Sequence, residues 1–279
     1  MAEITAAMVA KLREITGGGL MDCKKALTES NGDLDAAVDI LRKKGAASVI
    51  KKGGREAKEG VIAQYIKPGA KSGILVEVNC ETDFVAKNES FRAFTDNIAK
   101  TLVENPGADL EPLRADAVSR IGENIKISRN HRLDVTGSGA VAAYIHTGAK
   151  VGVLVEVGAN NDATVANEEF KQLVRDITLQ IAAANPTCVT RDQVDPAIVA
   201  KEKEIAAEQV KNKPPQAIAK IVEGKLDKFY QGICLVEQGF VKNGEITVKE
   251  HVAQVGKKLN DEITVRRFVR FQVGESVAA

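Results

Sequence analysis

The sequence predicts an α+β fold. An N-terminal three-helix module precedes a duplicated core of antiparallel three-stranded sheets with packed helices, and a helical hairpin is inserted in the second copy. Three observations predict this. Apolar residues recur at helical spacing through residues 4–44. Residues 60–98 and 139–177 align without a gap, so that Gly60, Tyr65, Gly69, Lys71, Gly73, Leu75, Glu77, Val78, Asp83, Asn88, Glu89 and Phe91 all meet identical residues. Segments 123–135 (ENIKISRNHRLDV) and 261–273 (DEITVRRFVRFQV) match as well, with Ile125, Arg129, Arg132 and Val135 falling on Ile263, Arg267, Arg270 and Val273.

The first helix is expected to be capped by Thr5 and to carry Met8, Val9, Leu12 and Ile15 on one stripe. Gly17-Gly18-Gly19 breaks it, and a second helix runs from about Leu20 to Ser30. Asn31-Gly32-Asp33 turns the chain, and Asp33 caps a third helix bearing Leu34, Ala37, Val38 and Leu41. Residues 43–58 (KKGAASVIKKGGREAK) are basic and glycine-bearing, which reads as a solvated linker or a helix extension.

In the repeat, 61–66 and 73–79 read as a strand hairpin around a glycine-containing turn. The apolar run Ile74, Leu75, Val76 and Val78 marks a strand buried within its sheet. Phe91, Phe94, Ile98 and Leu102 form one face of the helix that follows, and Phe170, Leu173, Ile177 and Ile181 repeat that face. Segments 123–135 and 261–273 supply a third strand to each copy. In the second copy the connection is much longer. There 195–212 (Ile198, Val199, Ile205, Ala206, Val210) and 216–230 (Ile218, Ile221, Val222, Leu226, Phe229), parted by Pro214-Pro215, read as an antiparallel helical hairpin.

Composition narrows the function. The net charge is +1, without the basic excess of a dedicated nucleic-acid or membrane-surface binder. No apolar run approaches a membrane span, and the acid-bearing N-terminus lacks the apolar core of a signal peptide. Cys23, Cys80, Cys188 and Cys234 are widely spaced, which suggests a reduced, cytoplasmic protein rather than a disulfide scaffold or a zinc site. His131, His146 and His251 have no partner at metal-ligand spacing. Gly17–Gly19 lacks the strand and Lys-Ser/Thr of a phosphate loop, and there is no nucleophile elbow. Glu77 and Glu156, placed alike in both copies, read as structural. Catalysis by the chain's own side chains is therefore not expected.

The copies part company at one large side chain, because Phe84 is matched by Ala163. It lies in the segment Glu81-Thr82-Asp83-Phe84-Val85, between a strand and a helix. The residues alone leave two readings open: a ring tucked into its own core, or an exposed anchor for a partner's pocket. Asp83, kept as Asp162, is read as a capping or turn residue, with a functional role left open. An adaptor using residues 4–44, or an RNA-binding protein using 43–58 with Arg266, Arg267 and Arg270, are the competing classes.

TGGGLMDCKKAL at 16–27, NGD at 31–33 and NCETDFVAKN at 79–88 closely resemble the bacterial elongation factor Ts family, and the resemblance runs the length of the chain in order. Leu20 stands where that family commonly has Met, a swap that keeps size and apolarity. The resemblance implies a ubiquitin-associated-like helical module with its linker at 1–54, a core subdomain at 55–138, and a second at 139–279 with its hairpin at about 187–230. It implies a guanine nucleotide exchange factor, not an enzyme, without cofactors. The implied partner is the GTPase elongation factor Tu, GDP-bound or nucleotide-free, with no direct nucleic acid and no membrane, and with a homodimer or a 2:2 complex left open. Thr82, Asp83, Phe84 and Val85 would dislocate the GTPase's magnesium. Arg13, Leu20, Met21 and Lys24 in the helical module, Ile121, Gly122 and His146 in the core, and Phe240 and Val241 near the C-terminus would make the partner contacts.

Overall fold

The computed structural model of the chain describes residues 4–275, apart from the side chains of 46–48, 50, 215 and 216. The ends of the expected domains, 1–3 and 276–279, lie outside the described residues. The chain is α+β: three N-terminal helices, then antiparallel three-stranded sheets packed with helices. It divides into two units, one made of residues 1–63, 76–130 and 273–279, the other of 64–75 and 131–272.

Helix α1 (Ala6–Thr16) starts where the Thr5 hydroxyl accepts the Met8 N–H, and ends at Gly17 in the left-handed conformation. α2 (Leu20–Glu29) and α3 (Leu34–Lys52) follow, with Asp33 Oδ1 accepting the N–H groups of Asp35 and Ala36 at the start of α3. Val9, Leu12, Cys23, Ala26, Leu27 and Ala37 form a small core among the three helices. Ile15, expected on the buried stripe, is exposed instead. It lies on the last turn of α1. The basic segment from Lys43 continues α3 as helix to Lys52.

Strands β1 (Glu59–Ile66) and β2 (Ser72–Cys80) are followed by a one-turn helix α4 (Asp83–Lys87), α5 (Glu89–Glu104), α6 (Glu111–Ile121) and β3 (Lys126–Asp134). The sheet order is β1-β2-β3. The expected face of α5 is buried at Phe91, Ile98 and Leu102, while Phe94 is half-buried.

The pattern recurs with β4 (Gly139–Ile145), β5 (Val151–Gly158), α7 (Asp162–Ala166) and α8 (Glu168–Ala184). Helices α9 (Pro196–Glu208) and α10 (Pro215–Ile233) pack together through Ala206, Val210 and Val222. Ile198 and Ile205, expected on that packed side, are exposed. The chain closes with the short pair β6 (Gly239–Phe240) and β7 (Asn243–Thr247), then α11 (Val248–Leu259) and β8 (Thr264–Gln272). β5 lies between β4 and β8 and is antiparallel to both. Phe170, Leu173, Ile177 and Ile181 of α8 lie in one core with Val153, Val155 and Val157 of β5 and with Val252 and Val255 of α11.

Two glycines of the repeat have a steric reason. At Gly139 (φ 155°) an added Cβ would fall 2.6 Å from the Val157 carbonyl oxygen, and at Gly60 (φ 151°) it would collide with the Val78 carbonyl oxygen. No larger residue lets these paired strands approach so closely. The two glutamates read as structural are nearly sealed in. Arg129 Nε donates to Glu77 at 2.7 Å, and Arg267 Nε and Arg266 Nη1 donate to Glu156 at 2.7 and 3.0 Å. A buried carboxylate needs such a partner to remain charged.

The strand turns also match. Ala70 and Ala149 hold φ of 54° and 59°, a region that costs an alanine about 1–2 kcal/mol. Ala149→Gly is expected to stabilise the protein by about 0.5–1 kcal/mol, read as a higher midpoint in urea at unchanged slope. A lower midpoint would contradict the strain.

Candidate functional site

The site is a turn held from below by a carboxylate. β2 ends at buried Cys80, and the chain must turn before α4. Thr82 is extended (φ −125°, ψ 154°), and its hydroxyl caps α4 by accepting the Val85 N–H at 3.3 Å. The orphan backbone donors at the turn go to Glu123, just before β3. Its Oε2 accepts the N–H groups of Glu81 and Thr82, both at 3.0 Å, and its Oε1 accepts the Thr82 hydroxyl at 2.6 Å. The tie is reciprocated. Glu81 Oε1 accepts the Asn124 N–H at 2.6 Å, and the Asn124 amide donates to the Arg55 carbonyl at 2.7 Å. Charged acceptors make these hydrogen bonds stronger than neutral ones.

The far side of the turn is equally fixed. Lys87 Nζ lies 2.7 Å from Asp83 Oδ2, and the Lys87 ammonium holds the Asp83 carboxyl below its ordinary value. Asn88 Oδ1 accepts the Ser90 N–H at 2.8 Å and starts α5, with Ala86 buried between. Phe84 stands on this frame with 80% of its surface in solvent, while Val85 beside it is half-buried. Of the two readings of Phe84, the sealed core position is therefore excluded. Thr82 and Asp83 shape the turn, and the ring projects from it.

The second copy has the frame without the ring. Asp261 occupies the place of Glu123 and accepts the N–H groups of Asn160 and Asn161, both at 3.1 Å. A hydrogen bond with Thr164 and those backbone N–H groups hold its carboxyl down at about 2. At the tip stands exposed Ala163. A cavity of about 810 Å³ lies beside this second turn, lined in part by Asn161, Val252, Gly256, Asp261 and Ile263. The helix of the first copy that precedes Glu123, α6, is packed against α3 instead.

Other expected contact residues fall in two groups. In the first unit Arg13 and Lys24 are exposed, and Leu20 and Met21 are 56% and 62% exposed on the first turn of α2, near exposed Ile15 in sequence. The turn between α1 and α2 abuts the end of α6, where a Cβ on Gly17 would fall 2.6 Å from Arg120 Cδ. Ile121, half-buried, and Gly122, left-handed at φ 88°, come next, and then Glu123. A single helix end thus connects the helical module to the Phe84 turn. In the second unit His146 is exposed in the β4–β5 turn, its Nδ1 3.0 Å from the Tyr144 hydroxyl. Phe240 is buried and stacked on the His251 ring at 4.1 Å, whereas Val241 next to it is exposed. Burial depresses His251, while Asp176 opposes the shift.

The carboxylate grips of Glu123 and Asp261 were missed as functional supports. Their signal was present, since both acids head the matched third-strand segments. Among the described residues no group of His, Cys, Asp and Glu could hold a metal ion, and no helix is long and apolar enough to cross a membrane.

Comparisons with known proteins place the chain among its relatives. The family model described as Elongation factor TS matches residues 81–275. Elongation factor Ts of Symbiobacterium thermophilum is 44% identical, covering 99% of this chain and 94% of its own. That of Nitratidesulfovibrio vulgaris is 40% identical over 99% and 98%, and that of a Nostoc species 41% over 99% and 94%. The family match and the relatives define a nucleotide exchange factor of translation elongation, which is not an enzyme. Within that class, the chain belongs to the elongation factor Ts family.

Glu123→Ala strands two backbone N–H groups and is expected to cost about 1–3 kcal/mol, with faster amide exchange confined to residues near Glu81 and Thr82. Unaltered exchange there would remove the grip from the argument. Asp261 lies below its ordinary 3.8, so its stabilising contribution is complete above pH 3.8 and is lost as pH falls toward about 2. An NMR titration of its carboxyl carbon reads this directly, and a midpoint above 3.8 would contradict it.

Proposed function

We propose that this chain promotes GDP release from elongation factor Tu by presenting Phe84 as a wedge to the GTPase domain. The observation that carries the reading is an 80% exposed phenylalanine on a turn fixed from both sides, where the other copy has alanine. Thr82, Asp83, Phe84 and Val85 form the segment that disturbs the partner's magnesium and phosphate site. Arg13, Leu20, Met21 and Lys24 dock a ubiquitin-associated-like module, residues 1–54 with its linker, on the same domain. Core subdomains at 55–138 and 139–279, two copies of one unit, add contacts at Ile121, Gly122 and His146. Val241, propped by buried Phe240, meets a further domain of the GTPase. The hairpin at about 187–230 is an insertion in the second copy, and the protein works in the cytoplasm.

Magnitudes require this breadth. A nucleotide held at nanomolar strength has about −12 kcal/mol of binding free energy. Each tenfold gain in release rate needs the barrier lowered by about 1.4 kcal/mol. Burial of one phenylalanine supplies only about 1.5–3 kcal/mol. The wedge therefore acts with the other contacts, which together favour a GTPase conformation whose magnesium and phosphate contacts are spoiled. Coupling is reciprocal, so a factor that weakens GDP is itself weakened by nucleotide and departs when GTP binds.

Phe84→Ala is expected to leave circular dichroism and unfolding unchanged, because the ring buries little in its own chain. Stimulated release of fluorescent GDP from elongation factor Tu should fall about tenfold or more. Wild-type release rates from the folded variant would overturn the wedge.

A further inference from the structure

Cys188 and Cys234 flank the segment that carries α9 and α10, and they face one another across an isolated parallel bridge. Their Sγ atoms lie 3.6 Å apart. Backbone hydrogen bonds fasten the two strands of chain at this point: Thr187 N–H donates to the Ile233 carbonyl at 2.9 Å, Leu235 N–H to the Cys188 carbonyl at 2.9 Å, and Val236 N–H to the Val189 carbonyl at 3.2 Å. Arg191 ties the same base by pairing with Asp227 and Glu237 and lying over the Tyr230 ring. No disulfide joins the thiols in this structure. A bond needs sulfurs about 2.05 Å apart, so from this starting point the two have only to close a short gap within a fixed frame.

We propose that Cys188 and Cys234 form a dithiol–disulfide modification site that clips the base of the α9–α10 segment, with a small-molecule disulfide as the oxidant. The two sulfurs differ in access: Cys188 is half-buried and Cys234 sealed. Burial, and then the neighbouring Cys188, push the Cys234 thiol up to about 12, which leaves Cys188 as the first attacker. Its thiolate attacks one sulfur of the small disulfide and expels the other half as a thiol. The Cys234 sulfur, giving up its proton, then attacks Cys188 Sγ in the mixed disulfide and expels the second thiol. Two protein thiols are oxidised to one disulfide while one small disulfide is reduced to two thiols. The sequence separation hides this pair, because its members are 46 positions apart.

The test incubates the full chain with oxidised glutathione, followed by intact mass and non-reducing peptide mapping. The expected product has lost the mass of two hydrogens and links the peptides of Cys188 and Cys234. Amide exchange around 188–193 and 233–236 should slow about tenfold relative to the reduced protein, and recover on reduction. Cys188→Ser and Cys188→Ala should both abolish the link. A stable glutathione adduct on Cys188 with no internal bond, or a link involving Cys23 or Cys80, would overturn the proposal. So would the same loss of mass in either variant.

Discussion

The grip of the Glu123 carboxylate on the Glu81–Thr82 backbone is the interaction on which the Phe84 turn depends. A chain leaving a buried strand for a helix has several N–H groups without partners. Satisfying them with water would leave the turn loose. Glu123 instead collects two backbone hydrogens and one hydroxyl hydrogen, all within 3.0 Å. These bonds hold the backbone of the turn from which the ring projects. Rigidity matters because an ordered anchor forfeits little further freedom when it enters a pocket.

The same carboxylate stands at the end of α6, so the turn is connected to the rest of its unit. Gly17 rests against Arg120, α3 packs on α6, and the Asn124 amide reaches the Arg55 carbonyl. These contacts tie the exposed apolar residues Leu20 and Met21 to the framework that carries Phe84. The three N-terminal helices have only a small core of their own, which makes their support by α6 important to their stability.

Much of this was legible in the sequence because repetition and periodicity are direct physical signatures. Gly60 and Gly139 are kept because a side chain would collide with a carbonyl, and the faces of α5 and α8 are kept because they fill a core. The contrast between Phe84 and Ala163 was visible without any structure. What escaped were features that depend on tertiary position. Ile15, Ile198 and Ile205 obey the helical period yet face solvent, because period reports a face and not what covers it. The weakly amphipathic α6 carries only Ala117 and Val118 as fully buried residues and passed as a connection. Phe240, which the resemblance groups with Val241 in a partner contact, lies buried and stacked on His251, and local sequence does not show which of two adjacent apolar residues turns inward. Glu123 and Asp261 head matched segments, yet the turns that they grip lie some 42 and 101 positions away, so the match alone does not show what they hold.

Because that grip is made to main-chain hydrogens, it is indifferent to which side chain crowns the bend. The residue at the apex can therefore change without loss of the hydrogen bonds that hold the bend beneath it. The two bends bear this out, since one carries an aromatic ring at its apex and the other a methyl group.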